Sequence, residues 1–362
     1  MGSVDFEFSP DQEMLRDSVR RFLADRAPIA YVRAMYDDER GTTADVWNGL
    51  ADLGITGILT PEAHGGLGLG MVDMGVVLEE MGRALHPGPF LSSAVTAATL
   101  ADAEVAPLLA SGEATGTAAL FEPDARHSWS TPTVRSTRDG SGWTLSGRKV
   151  HVSDGATADV VLVAAATDDV DLAVFAVDRG AAGMSAELTE TVDGSRKEAT
   201  LDFAATPARL VEGADLALAV DRTMTALVVD GVGAASTALE LSLAYAKERV
   251  QFDRPIGTFQ AIQHLCADML RDIELARAGG YYALWACDQA DPATRHAAAT
   301  MAKAWASDAL ARVGASCIQI HGGIGFTWEH DAHLFHKRLL TLQHAFGGSA
   351  VHLEELARIV LD

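Results

Sequence analysis

Apolar residues recur with a helical period along the first part of the chain. The stretch SPDQEMLRDSVRRFLADRA opens with Ser9 as a candidate N-cap and Pro10 at the first helical position. Its apolar residues, Met14, Leu15, Val19, Phe22 and Leu23, fall on one stripe, which is typical of a helix packed on a core. Similar patterning continues beyond it, so we predict a helical N-terminal domain at residues 1–114.

The pattern changes over residues 115–213. Short alternating or apolar runs, among them WTLSGRKVHVS, DVVLVAAA and DLAVFAV, are separated by clusters of Gly, Asp and Ser. Runs of this length between turn-forming residues are typical of β-strands. We therefore expect a middle β domain at 115–213.

The helical period returns in long segments over residues 214–362, which predict a C-terminal helical bundle. The resulting α, β, α order, with no G-x-G-x-x-G motif after a strand, argues against a Rossmann dinucleotide domain. The fold class predicted is therefore a multi-domain α and β protein.

Composition narrows the possible partners. A formal net charge of -22 argues against nucleic acid, whose binding requires clustered Lys and Arg. Three cysteines without C-x-x-C spacing predict neither a disulfide framework nor a metal site. The chain shows no secretory signal and no apolar run of membrane-spanning length, so we expect a cytoplasmic protein with no membrane partner.

Two C-terminal motifs carry a family resemblance. AYAKERVQFDRPIGTFQAIQH and, about sixty residues later, QIHGGIGFTWEHDAHLFHKRLL resemble the C-terminal domain of the acyl-CoA dehydrogenase family. The P-E-x-x-G-G-x-G stretch at residues 61–68 and the strand GRKVHVSDGA extend the resemblance over nearly the whole chain. It implies a helical N-terminal domain, a middle β-barrel and a C-terminal four-helix bundle. It also implies FAD as cofactor, an acyl-CoA thioester as substrate, electron-transfer flavoprotein as electron acceptor, and a homo- or hetero-oligomer of two or four subunits.

The resemblance assigns cofactor contacts in the C-terminal domain to Arg249, Phe252, Gln260, Gln319, Gly322 and Gly323. Arg249 would offer the FAD pyrophosphate a guanidinium fork across a subunit interface, and the alternative is a surface arginine paired with a carboxylate. The glycines would let backbone N–H groups approach a phosphate, and the alternative is an ordinary helix end.

In the β domain, Ser153 matches the Thr or Ser that the family places beside the flavin N5. Two departures from the family pattern surround it. His151 replaces a tryptophan, and the loop that normally reads T-E-P-x-x-G-S-D has Phe121 for Thr and residues 126–128 (Arg-His-Ser) for Gly-Ser-Asp. Both departures remove expected flavin contacts.

The family reaction also needs a carboxylate base, and both of its usual positions lack one. Ungapped alignment places Phe346 or Gly347, within HAFGGSAVH, at the usual position, and Thr223 at the position used by a second subfamily. Asp230, seven residues after Thr223, lies on the same helix face about 10 Å along the axis, and is the candidate base. The alternative is a structural aspartate bonded within the bundle. The family's substrate-orienting arginine is replaced by Met224.

Two functions therefore remain open. The chain is either an FAD-dependent acyl-CoA dehydrogenase with Asp230 as base, or a non-catalytic subunit that completes the FAD site of a catalytic partner. Asp230 favours the first interpretation, and the altered loop at residues 121–128 favours the second.

Overall fold

The computed structural model describes residues 8–123, 129–140, 142–167 and 172–361. Helices of the N-terminal domain are α1 (Pro10–Arg26), α2 (Ile29–Met35), α3 (Ala44–Asp52), α4 (Met71–Arg83), α5 (Ala98–Leu100) and α6 (Ala106–Ala110). A π-helical segment, Ser92–Ala97, runs directly into α5.

Helix α1 begins as its sequence predicts. The Ser9 side chain accepts a hydrogen bond from the backbone N–H of Gln12, whose own side chain accepts one from the backbone N–H of Ser9, so the end is closed by a capping box. Val19 and Leu23 are buried against the core, whereas Met14 is 61% exposed. The predicted apolar stripe therefore includes Met14, which is exposed to solvent and does not pack on the core.

The middle domain is a strongly bent seven-stranded sheet. Its strands are β1 (Gly116–Ala119), β2 (Arg135–Asp139), β3 (Gly142–Ser153), β4 (Val160–Ala165), β5 (Ala173–Asp178), β6 (Met184–Thr189) and β7 (Glu198–Leu210). The order is β1-β4-β5-β7-β3-β2, with β6 also paired to β7, and β1 and β4 are parallel. A bridge between Arg135 and Ala166 joins β2 to the end of β4, which brings the sheet towards closure as a barrel.

The C-terminal domain is built on four packed helices, α7 (Leu216–Glu248), α8 (Gln260–Gln289), α9 (Pro292–His321) and α10 (Ala332–His344), followed by α11 (Ser349–Leu361). The two-residue strands β8 (Val250–Gln251) and β9 (Arg254–Pro255) form a hairpin between α7 and α8. Within the described ranges, α7 passes the length and composition test for a membrane span, but 72% of its most apolar window is buried in the protein. That burial is typical of the core helix of a bundle.

A largely buried group of polar and charged residues joins the middle domain to the C-terminal bundle. This domain junction consists of Asp193, Ser195, Arg196, Asp230 and Arg338. Arg338, on α10, is completely buried and contacts the loop between β6 and β7 through Asp193 and helix α7 through Asp230. Burial opposes the charge on Asp193, yet Arg338 and a hydrogen bond from Ser195 hold the pKa of that carboxyl below its usual value.

Candidate functional site

Six of the predicted cofactor residues meet at one end of the bundle. Since α7 and α9 run in the same direction and α8 runs back between them, the C-terminal ends of α7 and α9 lie beside the N-terminal end of α8. The rings of Tyr245 and His321 are 4.7 Å apart at this end. We call the exposed group Arg249, Phe252, Gln260, Gln319, Gly322 and Gly323 the bundle-end surface.

The hairpin on this surface has an unusual turn. Phe252 and Asp253 both have positive φ, 53° and 62°, as a tight two-residue hairpin loop of the primed type requires. Neither residue is a glycine, so the turn is strained. The Phe252 side chain is 87% exposed. A strained turn that presents an aromatic ring to solvent is typical of a binding site.

Arg249 and the glycines are available to an anion. Within the described part of the chain the exposed Arg249 side chain forms no ion pair, so the paired-arginine alternative does not describe this structure. Gly322 has φ +64°, and a Cβ added at Gly322 or Gly323 would meet no atom within 4 Å. The backbone there has room for a phosphate to approach closely.

Ser153 lies elsewhere, at the end of β3. Its carbonyl oxygen accepts a 2.5 Å hydrogen bond from the Thr117 hydroxyl. The backbone N–H of Asp154 donates to Lys197, whose neighbour Arg196 binds Asp230 in the middle of α7. Arg249 follows Asp230 by 249 − 230 = 19 residues, about 28 Å of helix, so one chain does not bring Ser153 and Arg249 together.

The altered flavin loop is described only at its ends, because residues 126–128 lie outside the described ranges. At its start, Glu122 is buried and accepts hydrogen bonds from Lys149 at 2.8 Å and from Thr133. Although burial opposes its ionisation, these bonds hold the pKa of Glu122 below its usual value. Glu122 therefore anchors the loop to β3.

The geometry around Asp230 favours the structural interpretation over the role of base. Its side chain is completely buried at the domain junction, with Arg196 Nη2 at 2.8 Å and Arg338 Nη1 at 3.1 Å. Guanidinium donors from Arg196 and Arg338 occupy both carboxylate oxygens, which a substrate proton would have to reach. The alternative interpretation, a structural aspartate, describes this geometry. The sequence could not show this pairing, because Arg196 and Arg338 lie on other structural elements than Asp230.

Phe346, at the usual family position for the base, and Met224, the neighbour of Thr223, line a cavity of about 240 Å³, which we call the central cavity. Its lining includes Phe121, Met224, His296, Thr300, Phe346, His352 and Glu355. The rings of Phe121 and Phe346 meet edge to face with centroids 5.0 Å apart. Thr223, next to Met224, shares a 2.8 Å hydrogen bond with Thr96, so no carboxylate lies at either position.

Two buried side chains beside this cavity were missed by the sequence interpretation. Lys303 donates to the hydroxyl of Ser307 at 2.7 Å and to the carbonyl oxygens of Leu342 and Gly347 at 3.0 and 2.9 Å. Burial lowers the pKa of Lys303 to about 7. The second side chain is His352, on α11. A lysine within the apolar segment AATMAKAWA was a readable signal for Lys303.

Family models match the chain in three consecutive parts. They are the acyl-CoA dehydrogenase N-terminal domain at residues 9–112, the middle domain at 117–205 and the C-terminal domain at 213–361. The chain belongs to the acyl-CoA dehydrogenase family. The predicted family and the predicted three-domain fold are thereby confirmed.

Individual acyl-CoA dehydrogenases show how far the likeness extends. The acyl-CoA dehydrogenase FadE34 of Mycobacterium tuberculosis is 33% identical over 99% of this chain, which spans only 48% of FadE34. IpdE2 of the same organism is 34% identical over 91% of this chain and 90% of its own length. A solved structure described as a Tcur3481-Tcur3483 steroid ACAD G363A variant has a TM-score of 0.90 and 33% identity, covering 97% of this chain and 98% of that one.

Proposed function

We propose that this protein catalyses FAD-dependent α,β-dehydrogenation of an acyl-CoA thioester. The observation that carries the proposal is the bundle-end surface, where an unpaired Arg249 and unobstructed glycine backbone occupy the positions of the family's pyrophosphate contacts. Bound FAD supplies an acceptor for the hydride that leaves the substrate β carbon. Arg249 would bind the pyrophosphate through charge-assisted hydrogen bonds, and Gly322 and Gly323 would donate backbone N–H groups to it.

We infer that the cofactor site is completed between subunits. Ser153, the candidate flavin contact, and Arg249, the candidate phosphate contact, are separated by much of the length of α7. Apolar side chains are exposed around the same bundle end, including Phe326 at 69% and Trp328 at 60%. A second subunit that covers them would remove apolar area from water and bring its own β domain to Arg249. A solved relative, the ChsE4-ChsE5 complex of Mycobacterium tuberculosis, is itself named as a complex; it is 26% identical, with a TM-score of 0.91 over 99% of both chains.

The description of one similar structure supports a proposal for the substrate class. Because a structural relative is described as a steroid ACAD, we propose a bulky, polycyclic acyl-CoA rather than a short linear one. We also propose electron-transfer flavoprotein as the electron acceptor and the cytoplasm as the site of action.

A second candidate function is supported by the central cavity. The usual positions for the base carry Phe346, Gly347 and Thr223, and Asp230 is paired with two arginines. A chain without a base would serve as a non-catalytic subunit that supplies Arg249 to the FAD site of a partner.

Purification of the chain alone and with a co-expressed partner separates the two functions. Flavin absorbance near one FAD per chain, bleached anaerobically by a polycyclic acyl-CoA, is expected if this chain is the dehydrogenase. A colourless chain whose partner gains flavin on mixing would establish the subunit role instead.

Replacing Arg249 by Ala tests its proposed contact with the FAD pyrophosphate. Loss of charge-assisted hydrogen bonds worth about 1.5 to 3 kcal/mol should weaken FAD retention roughly tenfold or more. FAD dissociation is measured by fluorescence, with Arg358→Ala as the control, because Arg358 is an exposed arginine on α11 that is paired with glutamates. Equal retention by both variants would disprove the contact.

A further inference from the structure

Helix α11 buries a histidine where a leucine would be expected. His352 is 5% exposed and is the buried residue of this helix, while its neighbours Val351 and Leu353 are 44% and 58% exposed. Burial of an imidazole is costly unless its nitrogens find hydrogen-bond partners. Within the described ranges Nε2 of His352 has none. Apolar packing alone does not explain why position 352 has a histidine and not a leucine.

That nitrogen lies next to the usual family position for the base. His352 lines the central cavity together with Phe346 and Met224. A Cβ added at Gly347 would lie 3.3 Å from His352 Nε2, so the ring nitrogen is in contact distance of the point where a side chain at Gly347 would begin. Thr300 lines the same cavity, and its buried hydroxyl oxygen also has no partner among the described residues. Two unsatisfied polar atoms at one cavity indicate a site for a polar ligand.

We propose that His352 is the proton acceptor of the dehydrogenation, with Nε2 in place of the missing carboxylate; this inference rests on the proposed function. The Cα–H bond of the thioester breaks and its proton passes to Nε2. The electron pair left behind forms the α,β double bond as the Cβ–H bond breaks, and that hydrogen leaves with its electrons to the flavin of the holoenzyme. The thioester is oxidised by two electrons, the flavin is reduced, and the imidazolium later releases its proton to solvent.

The surroundings give the imidazole the strength of a carboxylate. Burial and the nearby Lys303 lower the pKa of His352 to about 4, although hydrogen bonds of the ring to the backbone of Phe346 and Gly347 act in the opposite direction. A free glutamate has a pKa of about 4.3, so the two are comparable bases. The ring is neutral at pH 7 and ready to accept a proton. Lys303 also fixes the loop beside the ring through its 2.9 Å bond to the Gly347 carbonyl oxygen.

Two substitutions of similar size test the proposal in the assembled holoenzyme. His352→Gln removes the proton acceptor, and His352→Glu replaces it by a carboxylate. The first readout is anaerobic single-turnover reduction by a polycyclic acyl-CoA. The second is deuterium uptake from D₂O at the α carbon of phenylacetyl-CoA, which has no β hydrogen, measured by mass spectrometry. Uptake requires the base but no hydride transfer.

We expect His352→Gln to slow both processes by about 10² to 10⁴, the usual contribution of a positioned base, with thioester binding unchanged. His352→Glu should recover at least about tenfold of that loss, which a merely structural role would not produce. His336→Gln is the matched control, because His336 has a buried, unpartnered Nδ1 but is not part of the lining of the central cavity. Its rates should match the parent.

The outcomes separate this inference from the proposed function. A parent that dehydrogenates, with His352→Gln equally fast, overturns the role of His352 alone. Equal losses in the Gln and Glu variants likewise assign His352 a structural role. A parent that neither exchanges the α proton nor dehydrogenates any thioester overturns the proposed function and this inference with it.

Discussion

The domain junction and the central cavity both bury ionisable side chains, but they differ in how many hydrogen-bond partners they provide for them. At the junction, Asp230 is paired with Arg196 and Arg338, and Asp193 with Arg338 and Ser195. At the cavity, His352 Nε2 and the Thr300 hydroxyl lack partners among the described residues. The buried carboxylates of the junction are paired with guanidinium groups and hold the domains together, whereas an incompletely bonded polar atom at a cavity remains free to act on a ligand.

This contrast corrects the sequence interpretation of Asp230. Its position on the helix face made Asp230 the candidate base, and a structural aspartate bonded within the bundle was the alternative. The partners exist, but they come from α10 and from the loop before β7, far away in sequence. Burial by itself therefore does not identify a functional group; its hydrogen bonds must be counted as well.

The largest effect is expected from Asp230→Asn. Loss of the carboxylate leaves Arg196 without a negative partner and leaves Arg338 with Asp193 alone in a buried site, which should destabilise the protein by about 3 to 5 kcal/mol. Denaturant unfolding measures the loss. Asp202→Asn, which breaks an exposed pair with Arg148, is the control and should cost no more than about 1 kcal/mol. Similar stabilities of the two variants would mean that the junction is not structural.

An acid titration tests the buried ionisable groups together. Burial and nearby guanidinium groups lower the pKa of His86 to about 3, and the pKa of His352 is lowered to about 4. Their contribution to the free energy of unfolding is complete above a pH of about 6.5, the pKa of histidine in the unfolded chain. It is lost as the pH falls below that value, because the unfolded chain then binds protons that the folded state does not. Each group contributes a slope of about 1.4 kcal/mol per pH unit in that range.

Asp154 works in the opposite direction. Burial raises the pKa of its carboxyl to about 6, so between about pH 6 and 4 the folded state holds a proton that the unfolded chain releases, and stability rises as the pH falls. Between pH 7 and 4.5 the urea midpoint should therefore fall less for His352→Gln than for the parent. It should fall more for Asp154→Asn than for the parent. Parallel curves would contradict these assignments.

The smallest effect concerns the backbone beside His352. Gly347 has φ +98°, and an added Cβ would lie 3.3 Å from Nε2. Gly347→Ala should therefore cost about 1 kcal/mol or somewhat more. Gly279→Ala is the control, because it lies within α8 and its Cβ would meet Ala302 at an ordinary 3.9 Å, so it should be neutral or slightly stabilising. The difference is measured by thermal unfolding.

The sequence by itself determined the elements and their order. Periodicity placed the long helices of the bundle because each must bury one apolar stripe, and the Ser9 cap and the strand GRKVHVS are equally local signals. The family motifs also identified the residues of the bundle-end surface, since they lie in short stretches at helix ends. The short strand β6, all of whose residues are at least partly exposed, had no such pattern and was missed.

Only the tertiary structure decided which polar residues are satisfied. The pairing of Asp230 with Arg338 spans 108 residues of sequence, and the approach of His352 to the cavity depends on how α11 packs against α9. Hydrogen bonds and solvent exclusion depend on distances between side chains from separate elements, which local patterns do not encode. The sequence therefore supplied a family and a candidate base, and the packing of the helices distinguished the arginine-paired carboxylate of Asp230 from the imidazole of His352, whose Nε2 has no partner among the described residues.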